Sequence, residues 1–307
     1  MPITLQESLR GLFYAPFYAA LARDAYAAEG VDVRFISSPR PGDAARAVLQ
    51  GTADVCWGGP MRVMQAYAQT PGCDLVSFAE VVTRDPFLLV GREPRPDFAL
   101  RDLPGLRVAT VSEVPTPWMC LQEDLRRAGI APEQLTRVTD GTMADNVAAL
   151  RCGELDVVQL FEPFVATLLA DGAGHVWYAA ANRGPTSYTT FYARRGLLTA
   201  RRDELHRMVR AIHRTQQWVS NASGEAIADT IAGYFPDVPQ TILAASCARY
   251  KSLAIWGADP RLPHAGYDRL RTSLVSGGFV SPGTPYELAV DNSLADAVVA
   301  EHPPALH

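Results

Sequence analysis

Between residues 30 and 60 the apolar positions change their spacing twice. Val31, Val33 and Phe35 alternate with polar neighbours and Ile36 follows, which predicts a strand. Pro39, Pro41 and Gly42 break it. Asp43 then stands where it can cap a helix whose Ala44, Ala47 and Val48 recur at helical spacing, and Gly51 ends that helix. Asp54-Val55-Cys56-Trp57 opens a second short strand, and Gly58-Gly59-Pro60 stops it. A strand–helix–strand unit of this kind builds a parallel sheet, and in open α/β sheets ligands collect at the strand ends.

The same punctuation returns about a hundred residues later. Val48-x-x-Gly51-x-x-Asp54-Val55 is matched by Leu150-x-x-Gly153-x-x-Asp156-Val157, which predicts two lobes of similar construction. Further strands are expected at 3–8, 75–82, 87–90, 106–111, 135–139, 156–161, 175–179 and 191–194. Thr142-x-x-Asp145 resembles a capping box. Residues 200–219 read as an amphipathic helix with Leu205, Met208, Val209, Ile212 and Val219 inward, and the remaining chain as helical cover for the first lobe. The Pro-rich, charged segment 92–104 is the expected first crossing, and the turn-rich 182–190 the return. The first lobe is therefore expected over 1–98 and 188–307, and the second over 99–187.

With 307 residues, 48% hydrophobic and 20% charged, the chain has core material for two such lobes. A net charge of −5 argues against a nucleic-acid surface. No apolar run reaches the ~18 residues of a membrane span, and the chain enters its first strand almost at once, so no leader is read at the start. As encoded, a cytoplasmic protein is expected, or a periplasmic one if a leader has been lost. Cys56, Cys73, Cys120, Cys152 and Cys247 are scattered and the histidines form no close pair, so neither a disulfide framework nor a metal or other cofactor is expected. A nucleophile elbow, a P-loop and a Gly-rich dinucleotide turn are all missing from the sequence.

The aromatic stretch RGLFYAPF, then AALARDAYAAEGVDV, GDAARAVLQGTADVCWGG, DLPGLRVATVSE and NVAALRCGELDVVQLFEPF together resemble the NMT1/THI5-like, SsuA-type solute-binding proteins of ABC importers, over roughly residues 3–220. The resemblance implies an α/β chain with the two-lobed type II periplasmic-binding-protein fold, a central ligand cleft and two crossing strands. It implies a monomer that binds sulfonates, nitrate, other small organic anions or thiamine-pyrimidine precursors by hinge closure, with an ABC permease as partner. An enzymatic branch of the family makes the thiamine pyrimidine. That branch has a histidine after the third strand and cysteines on the return crossing, where this chain has Gly59-Pro60-Met61 and GPTSYTTFYAR. A non-enzymatic binding protein is therefore expected; the alternatives are that enzyme or a cytoplasmic sensor.

On this fold the strand ends supply the candidate site. Arg10, Phe13 and Tyr14 would give a cation and an aromatic wall. Ser38, Pro39 and Arg40 precede a helix N-terminus whose amides suit an anion. Gly58 and Gly59 would let a ligand approach the backbone, and Trp57 is either a stacking platform or core. From the second lobe come Ser112, Thr116 and Trp118, the last again either wall or core, and Glu162, which could accept from a ligand or pair with an arginine. Arg183 and Tyr188 sit on the return crossing.

Overall fold

A computed structural model describes residues 1–281 and 284–306. Ten strands are present among the described residues: β1 Ile3–Glu7, β2 Val33–Ser37, β3 Val55–Gly58, β4 Leu75–Val82, β5 Leu88–Gly91, β6 Arg107–Ala109, β7 Thr136–Val138, β8 Val157–Leu160, β9 His175–Ala179 and β10 Thr189–Arg194. They form two five-stranded sheets, ordered β2-β1-β3-β10-β4 and β7-β6-β8-β5-β9. In each sheet the first three strands run parallel, and the strand in the fourth position runs against both neighbours.

The repeated sequence unit has a repeated structural job. Gly51 and Gly153 close their helices in the left-handed region, at φ 73° and 76°. Shortly after each, Asp54 accepts the backbone N–H of Thr4 at 2.8 Å, and Asp156 accepts that of Arg107 at 2.8 Å. Each aspartate thus holds the start of the neighbouring strand in register. The capping box forms as well: the Asp145 N–H donates to Thr142 Oγ1 at 3.2 Å, and the Thr142 N–H to Asp145 Oδ2 at 2.9 Å.

Two expectations are corrected. Strand β5 belongs to the second sheet, where it plays the part β10 plays in the first. The chain therefore leaves the first sheet after Val82, ahead of the 92–104 segment expected to make the crossing. That segment is Pro- and charge-rich because it is a largely exposed loop. The C-terminal helices also do more than cover the first lobe. Helix Gln240–Ser252 packs on Gly224–Ile231 and reaches Phe164–Ala170, and helix His264–Ser276 packs on both Thr116–Arg127 and Pro60–Gln69.

The crossings lie side by side. Thr186 N–H donates to Thr83 O at 2.8 Å, Tyr188 N–H to Val82 O at 2.9 Å, and Arg183 pairs with Asp85 at 3.0 Å. Helix Arg202–Asn221 buries the five inward residues its periodicity marks. No helix among the described residues is long and apolar enough to cross a membrane.

Glu80, fully buried in β4, has its pKa pushed up to about 8 by burial, with Asp259 adding repulsion. A folded pKa above the unfolded one stabilises at acid pH, and that contribution fades as pH rises from the ordinary glutamate range through about 8. Glu80→Gln should flatten the stability–pH curve across that window. Urea titrations at pH 5 and 9 that show the same change of stability with pH in both proteins would refute the assignment.

Candidate functional site

A narrow cavity lies between the two sheets. Counted out into open solvent its empty space is ≈ 480 Å³, and only ≈ 40 Å³ admits the centre of a water molecule. Four local structures converge on it. The turn after β1 brings Ser8, Leu9, Phe13 and Tyr14; the start of helix Pro60–Gln69 brings Gly59, Met61 and Arg62, with Pro41 beside them. The second lobe brings Val114, Thr116 and Phe161, and the crossings bring Phe87 and Tyr188.

Aromatic residues are the largest group in the lining: Phe13, Tyr14, Phe87, Phe161 and Tyr188. Phe161 receives Phe13 and Phe87 edge-on, each with ring centroids 5.4 Å away, at 76° and 78°. These rings come from both lobes and from the crossing and meet in the middle, which is why so little water fits. Besides Thr116, three polar features interrupt them. Tyr14 Oη and Ser8 Oγ are 3.0 Å apart. The Tyr188 hydroxyl is buried and has no hydrogen-bond partner among the described residues, and burial raises its pKa well above the usual tyrosine range, so it is a neutral donor. The third is Arg62. Its guanidinium donates to Gln65 Oε1 at 2.9 Å, and among the described residues it has no ion-pair partner. Burial lowers its pKa from the ordinary arginine value, the signature of a charge taken partly out of water.

Of the residues singled out in the sequence, Phe13, Tyr14, Gly59, Thr116 and Tyr188 line the cavity. The others are held elsewhere. Arg10 is bound to Glu7, at 2.7 and 3.1 Å, and to Tyr234 O at 3.1 Å. Arg40 is exposed and paired with Asp43. Ser38 accepts from Gln6 Nε2 at 2.7 Å, and Pro39 beside it is exposed. Trp57 is fully buried between Phe17 and Phe35, ring centroids 4.8 and 5.2 Å away, which places it in the core rather than on the wall. Gly58 is small because a Cβ there would crowd Tyr192 and Ser8 at 3.1 and 3.3 Å.

In the second lobe, Ser112 donates to Gly141 O, and Trp118 packs in a core cluster under Arg137, whose guanidinium is 4.1 Å from its ring centroid. Glu162 is completely buried. It takes Arg249 Nε at 2.6 Å, Ser246 Oγ at 3.1 Å and the Ala166 N–H at 2.8 Å, so it joins the second lobe to the C-terminal helices. Arg183 is buried with Asp85 and Asp124, its Nε 2.7 Å from Asp124 Oδ1.

The cavity takes residues from several of the expected loops, but Arg10, Arg40 and Arg183 are not among its lining. Arg62 carried a signal of its own: it stands in the first turn of a helix, one residue beyond Gly58-Gly59-Pro60, where the macrodipole disfavours a positive side chain. Phe87, Met61, Leu9 and Val114 gave no such signal, since apolar residues at element ends are ordinarily core.

Residues 13–226 match the sequence model of a family described as NMT1/THI5 like. YtlA of Bacillus subtilis (strain 168), which carries a binding-protein name without a stated ligand, is 27% identical over 301 residues, covering 97% of this chain and 90% of YtlA. Among solved structures, the alkanesulfonate-binding protein SsuA from Xanthomonas axonopodis pv. citri, bound to MOPS, superposes with a TM-score of 0.73 at 15% identity, covering 95% of this chain and 98% of that one. The desulfurization enzyme DSZB, as a point mutant in complex with biphenyl-2-sulfinic acid, superposes with a TM-score of 0.73 at 14% identity, covering 98% and 100%. At such identities the likeness concerns the fold, which is that of the two-lobed periplasmic binding proteins. The sequence match covers well over half of the chain, and the protein belongs to the NMT1/THI5-like family.

Proposed function

We propose that this protein binds a small organic anion in the cavity between its lobes and serves as the solute-binding component of an ABC importer. One observation carries the reading: Arg62 is a half-buried cation that lines the cavity, donates to the neutral Gln65 and has no ion-pair partner among the described residues. A partly buried charge without a counter-charge is costly, and a bound anion would relieve it. The Tyr188 hydroxyl would be a second donor, and the aromatic rings would take the apolar body of the ligand. Because the rings now meet across the cavity, uptake requires the lobes to part about the paired crossings and close again, a hinge motion.

The reading is binding without turnover. Among the described lining residues there is no histidine, cysteine or carboxylate to serve as base or nucleophile. Nearby Cys56 is fully buried, and burial raises its thiol pKa well above the ordinary range, which keeps it protonated. Titration calorimetry against short-chain sulfonates, carboxylates and nitrate should find a binder. Arg62→Gln should weaken that binder by about 1.5–3 kcal/mol, the worth of a hydrogen bond to a charged group. Failure of the whole panel, or an unchanged affinity in the variant, would remove the proposal.

A further inference from the structure

Resting on that reading, we infer that the ligand carries a negative group and no positive one: the site accepts monoanions with an apolar body and rejects zwitterions of the same shape. The argument concerns the carboxylates around the cavity. Five of them stand next to, or two residues from, a lining residue in the chain, and each is already committed. Asp43 takes Arg40 Nε at 3.0 Å and Arg46 at 3.5 Å. Glu7 takes Arg10 and Ser37 Oγ on one oxygen and Tyr18 Oη on the other, at 2.6–3.1 Å. Asp85 takes Arg183 at 3.0 Å and the Phe87 N–H at 3.0 Å. Glu113 takes the Met143 N–H at 2.9 Å and the Ser112 N–H at 3.2 Å. Glu162 takes Arg249, Ser246 and the Ala166 N–H.

None of the five lines the cavity; among the described lining residues the charged one is Arg62. An ammonium drawn in beside Arg62 would lose its water, meet a like charge and find no acceptor of opposite charge. This is discrimination by an unpaired buried charge, in which the site needs no contact that recognises the rejected group.

Two matched pairs test the inference: ethanesulfonate against 2-aminoethanesulfonate, and benzoate against 4-(aminomethyl)benzoate. Within a pair the second member adds an amine or an aminomethyl group. Titration calorimetry on the full chain should show the amino member binding more than about 100-fold more weakly, since a stranded ammonium costs several kcal/mol. Arg62→Gln, with its melting curve checked, should weaken the monoanion and narrow the gap within the pair. Equal or tighter binding of the amino member would overturn the inference while leaving the binding reading intact. Failure of all four probes together with the wider anion panel would overturn both.

Discussion

Trp57→Ala is expected to lower stability by about 3–5 kcal/mol, the range for deleting a buried tryptophan, and to leave ligand affinity unchanged. Trp57 lies near the end of β3 and packs inside the first lobe. Phe17 and Phe35 stack on it nearly parallel, at 11° and 13°, while Tyr14 and Tyr18 meet it edge-on. Alanine would leave a cavity lined by aromatic rings fixed on three different elements, which cannot all move in to fill it. The melting temperature should fall by roughly 10 °C. Calorimetric melting paired with ligand titration separates this from a binding role. A variant that melts like its parent but has lost its ligand would put Trp57 in the site after all.

Arg183→Met should be about as damaging, at about 3–5 kcal/mol, because it strands two buried carboxylates. The exposures of the Arg183, Asp85 and Asp124 side chains are 5%, 0% and 7%, so water cannot substitute for the guanidinium. The loss should depend on pH. Asp85 already has a pKa above the ordinary aspartate value, because burial outweighs the pull of Arg183. Removing the arginine raises it further. A folded pKa above the unfolded one gives stability at acid pH that is lost as pH rises, so the variant's deficit should shrink toward pH 5 and widen toward pH 8. Asp85→Asn added to Arg183→Met should restore part of the loss. Urea unfolding of the variants at both pH values decides the matter: an equal deficit at each would mean that Arg183 acts through packing alone.

The sequence exposed the frame of this protein more readily than its site. Alternation in 31–36, the helix stops at Gly51 and Gly153 and the matched Asp54 and Asp156 are local rules, obeyed within a few residues of where they are written. Partner choice is not local. Arg10, Arg40 and Arg183 looked like ligand cations because each lies on a loop at a strand end, and nothing in the sequence states that Glu7, Asp43 and Asp85 are waiting for them. Glu162 was open to two readings, and its fate was settled by Arg249, 87 residues away. The place of β5 was hidden for a related reason. Leu88–Gly91 is an apolar strand buried on both faces, and such a strand fits the middle of either sheet.

The exchange of middle strands also sets an order of events as the chain leaves the ribosome. All five strands of the second sheet lie between residues 88 and 179, so that sheet can be completed once those residues have emerged. The first sheet has most of its strands out earlier, but it has a gap between β3 and β4 until Thr189–Arg194 arrives. During that interval the facing edges of β3 and β4 are open to other chains. The half that is made first is therefore finished last, and it is the half exposed to mispairing and to chaperones during synthesis.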